Sequence, residues 1–247
     1  MKNFSLFALI ILLISQMAFA KTDFTLTAQA SPELIENKSS AVTLFLSQQG
    51  KGIGENQLQT VHTEKIHALI IDPTLTDYQH IHPSVGKKTG EYIFDFTPHT
   101  QNAYRIWFDI TPVNGKQEYI IVDLKGSNKI NPEVIKKLNS ETIVDGYHFK
   151  LTFDQPLTVG GHAMGHVDIS DENGKPVTQL EPIMEAFAHI VAFNEDYKTI
   201  LHIHPMGQDG SKIDFHIMPT EKGFVKLFVQ VKISGKEIFA PFGVMVI

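Results

Sequence analysis

The chain has 247 residues, with 21 Lys+Arg against 27 Asp+Glu, 12 His and no Cys. Without cysteine there are no disulfides, thiolate metal sites, iron–sulfur ligation or cysteine nucleophile. A net charge of −6 and a single arginine, Arg105, argue against a general nucleic-acid binder.

Lys2, the apolar run from Phe4 to Ile14 and the small-x-small triplet Ala18-Phe19-Ala20 read as a signal peptide over residues 1–20. The apolar run is shorter than the ~20 residues a membrane span needs. The expected product is secreted, periplasmic if the host is Gram-negative, with no transmembrane segment after cleavage.

Strand patterns follow in order. In the first half they are Phe24 to Ala28, Ala41 to Ser47, Ile66 to Ile71, Tyr92 to Thr97, Ala103 to Ile110 and Glu118 to Leu124. In the second they are Tyr147 to Phe153, Val167 to Ser170, Ala186 to Phe193, Thr199 to His204, Ile213 to Met218, Phe224 to Ile233 and Glu237 to Val246. Asn114-Gly115, Asn173-Gly174 and Ser234-Gly235 mark hairpin turns. Residues 125–145 carry the Gly, Ser, Asn and Pro of a connector, with a short helix predicted after Asn131 with Pro132 in its first position. The expected architecture is all-β: two tandem immunoglobulin-like β-sandwich domains, 21–124 and 146–247, with barrel-like closure as the alternative.

The two halves repeat each other. Lys65 to Pro83 lies over Phe187 to Pro205, so that His67, His80 and His82 fall on His189, His202 and His204 at an offset of 122. Each copy ends in His-Ile-His-Pro. If a tight turn at Asp72 to Leu75 closes a symmetric hairpin, His67 sits opposite His80, with His82 on the same face. The second copy is read in the same way around Asn194 to Tyr197. Pro83 and Pro205 are then expected to end their strands. Three converging imidazoles can hold copper or zinc and leave a position for water. The same histidines read equally well as structural: His67 shares a face with Leu69 and Ile71, as a core histidine bonded to backbone would.

A second cluster, His162, Met164 and His166, shares one face if extended, and imidazole with thioether suits copper. Met184 and Met206 offer further soft donors, and His216 takes the place of Asp95. His62, His99 and His148 read as surface or edge residues, with His62 on the opposite face from His67.

The repeated His…His-x-His-Pro pattern, followed by a Phe-containing strand and a Tyr-x-Ile-type strand, resembles that of secreted bacterial tandem β-sandwich proteins. It is distantly similar to YtkA-like domains and to periplasmic copper-resistance sandwiches. The latter resemblance implies a copper-carrier role, but Lys21-Thr22-Asp23 stands where those proteins have a histidine, and there is no Met-rich run.

Three functions follow. The first is copper or zinc buffering, carriage or sensing, weakening below about pH 6 as imidazoles protonate. The second is a non-enzymatic envelope interaction or assembly role with structural histidines and a protein partner. The third is a zinc-dependent hydrolase with Asp77 or Glu185 as acid or base. No G-x-S-x-G, H-E-x-x-H, G-x-G-x-x-G or P-loop is present.

Overall fold

The computed structural model describes residues 23–31, 34–128, 132–203, 205–209 and 212–247. The expected signal peptide, Asn131 and His204 lie outside them.

The first domain contains β1 (Phe24–Ser31), β2 (Ser40–Gln48), β3 (Lys51–Gly52), β4 (Ile66–Ile71), β5 (Tyr78–Ile81), β6 (Ser84–Val85), β7 (Glu91–Phe96), β8 (Tyr104–Ile110) and β9 (Glu118–Leu124). The second contains β10 (Glu141–Val144), β11 (Tyr147–Phe153), β12 (Ala163–Ser170), β13 (His189–Asn194), β14 (Ile200–Ile203), β15 (Pro205–Asp209), β16 (Lys212–Ile217), β17 (Gly223–Ile233) and β18 (Lys236–Val246). Both domains are immunoglobulin-like sandwiches of antiparallel sheets. Each has an outer sheet, β1-β2-β7-β6 and β10-β11-β12-β16-β15. Each has an inner sheet, β5-β4-β8-β9 and β14-β13-β17-β18. The inner sheets are built identically, strand for strand.

Alternation explains the outer sheets. In β2, Val42, Leu44 and Leu46 point inward while the residues between them do not. The inner strands behave differently. Every residue of β4 and of β13 is buried, because both faces are covered. Ala68 and Ile70 join the first domain's core, and Ile190 and Ala192 the second's. Leu69, Ile71, Tyr78 and Trp107 meet Val191, Phe193, Ile200 and Phe228 in a third core between the domains. At roughly 1.5–3 kcal/mol per large apolar side chain buried, this third core holds the two inner sheets face to face.

Polar contacts lock the same junction. Tyr197 Oη donates to the Ile71 carbonyl at 2.9 Å. The Arg105 guanidinium donates to the Tyr197 carbonyl, lies 4.6 Å from the Tyr197 ring centre and pairs with Asp123. The chain's single arginine is thus spent on the domain junction.

Three local expectations are corrected. The predicted helix after Pro132 does not form: residues 132–138 are irregular. The Ile135 amide donates to the Thr74 carbonyl of the first domain, and Val134 packs on the third core. Strand β10 lies within the segment read as connector and pairs with β11. Pro205 opens β15, the edge strand of the outer sheet, where its missing N–H costs nothing. The chain therefore changes sheets at each His-x-His-Pro, from β5 to β6 and from β14 to β15.

Candidate metal centre between the domains

Each histidine-bearing hairpin is wider than a symmetric four-residue turn. Asp72 N donates to the Asp77 carbonyl at 3.4 Å, and the Asp72 carboxylate takes the amides of Thr76 and Asp77 at 3.0 Å each. Leu75 supplies the left-handed residue at φ 60°. The strands consequently pair Leu69 with His80, two residues from the expected register. The second copy shows the same displacement: Val191, not His189, faces His202. A shift of two keeps every side chain on its face, so the histidines still converge.

That face is the interdomain one. His67 Nδ1, His80 Nε2 and His82 Nε2 are mutually separated by 3.1, 3.2 and 3.3 Å. His67 and His80 are 2% and 9% exposed. From the other domain, His202 lies with its ring centre 5.4 Å from that of His67 and 5.6 Å from that of His80. His189 lies 5.5 Å from His80. The first triad therefore meets His189 and His202 across the domain interface. His204 lies outside the described residues.

Protonation is fixed by what each ring touches on its far side. His67 Nε2 lies 3.1 Å from the Val61 carbonyl, which can only accept, so Nε2 carries the proton. Gln230 donates its amide N–H to Glu237 at 2.8 Å, which turns its oxygen toward His80 Nδ1 at 2.9 Å. His80 Nδ1 is therefore the donor. Burial, then the neighbouring His202, lowers His67 to about 4. Burial, then His82, holds His80 well below the usual range. Burial, then His67 and His202, brings His82 to about 4. All three rings are neutral at pH 7. Two lone pairs, on His67 Nδ1 and His80 Nε2, thus face each other at 3.1 Å. Only the single N–H that His82 Nε2 can carry, or a cation, relieves that contact.

The Val61 carbonyl comes from a two-residue turn, Val61 to Glu64, in which His62 and Thr63 both have positive φ. The second domain repeats it with Met184 and Glu185, and the Ile183 carbonyl takes His189 Nε2 at 3.0 Å. His62, read as a surface residue, lies 5.9 Å from His189 in an edge-to-face contact and belongs to the cluster. A cavity of about 450 Å³ borders His80, His82, Met184 and Gln230 and reaches Lys232 and Glu237. It leaves room for an incoming ion or a further ligand.

Two partners escaped the sequence reading. Asp109 is buried, accepts two hydrogen bonds from Gln117, and takes His202 Nδ1 at 2.9 Å. Gln230 holds His80. Each is a polar residue in a strand that is otherwise largely apolar, which is the signal that would have found them.

The other candidates lie elsewhere. His162, Met164 and His166 alternate with the buried Ala163 and Gly165 and so share one face of the strand, but the two histidines have different partners. His162 Nδ1 meets His216 Nε2 at 2.9 Å, while His166 pairs with Asp214 at 2.6 Å. Met164 faces His216 in the β12–β16 register on the outer sheet. Met206 is 69% exposed on β15. Asp77 is taken up by Tyr104, His99 and the His99 amide, so it braces the hairpin rather than facing the histidines. Glu185 sits in the turn beside His62. His148 lies 3.5 Å from Glu141.

The family described as Domain of unknown function (DUF8832) matches residues 20–125 and again residues 141–247, once for each sandwich. No curated protein matches the sequence. Among solved structures, invasin, a bacterial integrin-binding protein, is 10% identical over 88% of this chain and 39% of its own, with TM-score 0.26. The D00–D0 domain of intimin is 12% identical over 90% and 100%, with TM-score 0.23. MtrC from Shewanella baltica OS185 is 8% identical over 90% and 69%, with TM-score 0.25. This chain spans about two fifths of the invasin chain. The likeness to YtkA-like and copper-resistance sandwiches expected from the histidine motif finds no support in these matches. No helix among the described residues is long and apolar enough to cross a membrane.

Proposed function

We propose, for a chain that belongs to the DUF8832 family and carries its domain twice, that it binds copper or zinc between its sandwiches. It acts as a non-enzymatic buffer, carrier or sensor in the secreted or periplasmic space to which its leader directs it. One observation carries this reading: the converging nitrogens of His67 and His80 both present lone pairs, 3.1 Å apart, because carbonyl oxygens hold the protons on the far side. Far-side acceptors of this kind orient the imidazoles of metal sites. The three nitrogens stand 3.1–3.3 Å apart. A tetrahedral ion with bonds of about 2.0–2.1 Å sets its nitrogens about 3.3–3.4 Å apart.

The test is elemental analysis of untagged protein purified from its own compartment, followed by copper and zinc titration at pH 7. Tightly held metal, at least one equivalent of which is lost in the His80→Ala/His82→Ala variant, supports the site. Wild-type binding no stronger than that of scattered surface histidines removes it.

A second reading, envelope interaction or assembly with structural histidines, is favoured by a separate feature. A groove of about 510 Å³ between β11 and β18 is lined by Leu138 and Met245, which are 59% and 45% exposed. Cross-linking in the intact envelope, compared with a Leu138→Glu/Met245→Glu variant, tests it: a specific adduct lost in the variant is the supporting result.

A further inference from the structure

The two domains face each other as the halves of an isologous dimer do, with residue i of one meeting residue j of the other and the reverse. The third core shows this pairing. Leu69 and Val191, Ile71 and Phe193, and Trp107 and Phe228 are equivalent positions in the two repeats, and all six pack there. The histidines obey the same rule. His80 of the first domain is held by Gln230 of the second, and His202 of the second by Asp109 of the first. Asp109 and Gln230 are themselves equivalent, 121 residues apart.

The equivalence extends to the geometry of the rings. His67 and His80 have centres 5.3 Å apart at an interplanar angle of 37°. Their counterparts His189 and His202 are 5.9 Å apart at 34°. His189 gives its Nε2 proton to the Ile183 carbonyl, as His67 does to Val61. The Asp109 carboxylate fixes the proton of His202 on Nδ1, as the Gln230 oxygen does for His80. In their neutral forms His189 and His202 therefore carry their lone pairs on Nδ1 and Nε2, the same nitrogens as in their counterparts.

We propose that the interface takes two metal ions, related by this pseudo-two-fold: one on His67, His80 and His82, the other on His189 and His202. The inference rests on the metal reading above and extends it from one ion to a pair. The charges around the pair favour monovalent copper. Every ligand is a neutral imidazole, and Asp109 is the one buried carboxylate bonded to the cluster among the described residues. Two divalent ions would leave several positive charges uncompensated in a largely buried interface, whereas two copper(I) ions leave far fewer.

The experiment is anaerobic titration of the full-length mature protein with copper(I), with bathocuproine disulfonate as competitor. The wild type is expected to hold two equivalents, His80→Ala one, His202→Ala one, and the double variant none. One equivalent in the wild type, abolished by either single substitution, means a single shared ion and overturns the pair while leaving the metal reading standing. No retained copper or zinc overturns both. Should the alanine variants fail to fold, Asp109→Asn and Gln230→Leu serve instead. Each is expected to weaken one equivalent by about 10–100-fold and spare the other. Equal loss at both equivalents from either change overturns the pair.

Discussion

Asp109 and Gln230 occupy the same place in the two halves of the chain, and each holds a histidine belonging to the other half. The contacts His80–Gln230 and His202–Asp109 therefore span the domain junction and orient the candidate ligands at the same time. Docking of the domains thus fixes the orientation of His80 and His202.

Removing the Gln230 acceptor leaves the His80 ring free to turn and to move its proton. Gln230→Leu is expected to weaken the best-bound metal equivalent by about 10–100-fold without removing His80 itself. Isothermal titration of both proteins at pH 7 measures this. Equal affinity would show that His80 needs no orienting partner.

Acid should destabilise the fold below about pH 6.5. Burial brings His67, His82 and His189 to about 4 in the folded protein, whereas an unfolded histidine titrates near ~6.5. Between those values the unfolded chain binds more protons, so stability falls as pH drops through that window and is unaffected by these groups above it. Urea denaturation at pH 7, 5.5 and 4.5 should show the loss, with a shallower slope for His82→Gln. Metal binding follows the folded values. It should persist to about pH 5 and fail near 4, lower than the threshold near pH 6 that free imidazoles suggest.

Trp107 is 1% exposed and lies 5.4 Å from Phe193, across the junction. Trp107→Ala is expected to cost about 3–5 kcal/mol, measured by urea denaturation. A cost under about 1 kcal/mol would mean that the domains do not pack through this face in solution.

Arg105 joins the Asp123 carboxylate to the Tyr197 carbonyl and ring. Arg105→Lys keeps the charge but loses the planar fork. It should loosen the junction by roughly 1 kcal/mol. The readout is faster proteolytic cleavage within residues 125–140, with the isolated sandwiches otherwise intact.

Metal should stabilise the docked fold measurably, since Gln230 of the second domain orients the His80 ligand of the first. At a free ion concentration 100 times the dissociation constant, linkage gives about 2.7 kcal/mol. A thermal midpoint that does not move on adding copper or zinc, and does not fall with a chelator, would oppose binding to the native state.

Much of this architecture was legible in the residues. Val42-Thr43-Leu44-Phe45-Leu46 alternates because one face of β2 meets the core and the other meets water. The offset of 122 between the histidine triads declared two equivalent domains. It also picked out His67, His80, His82, His189 and His202, which lie together at the domain junction, because repeated chemistry at fixed spacing survives independently of how the domains dock. The runs Ala68 to Ile71 and Ile190 to Phe193 contain no polar residue, and the structure buries both faces of each. Other features depended on contacts between residues far apart in the chain. The hairpin register moved by two because the Asp72 side chain widened its turn. Irregular backbone replaced a helix after Pro132 because Ile135 found its partner on the first domain. His62 joined the cluster through an edge of the other sandwich. Local pattern set which residues point to which face, because side-chain alternation is a property of each strand alone. Docking decided which faces met, and so brought His67, His80 and His82 up to His189 and His202, because that choice is made by the apolar surface of Trp107, Phe193 and Phe228 leaving water together.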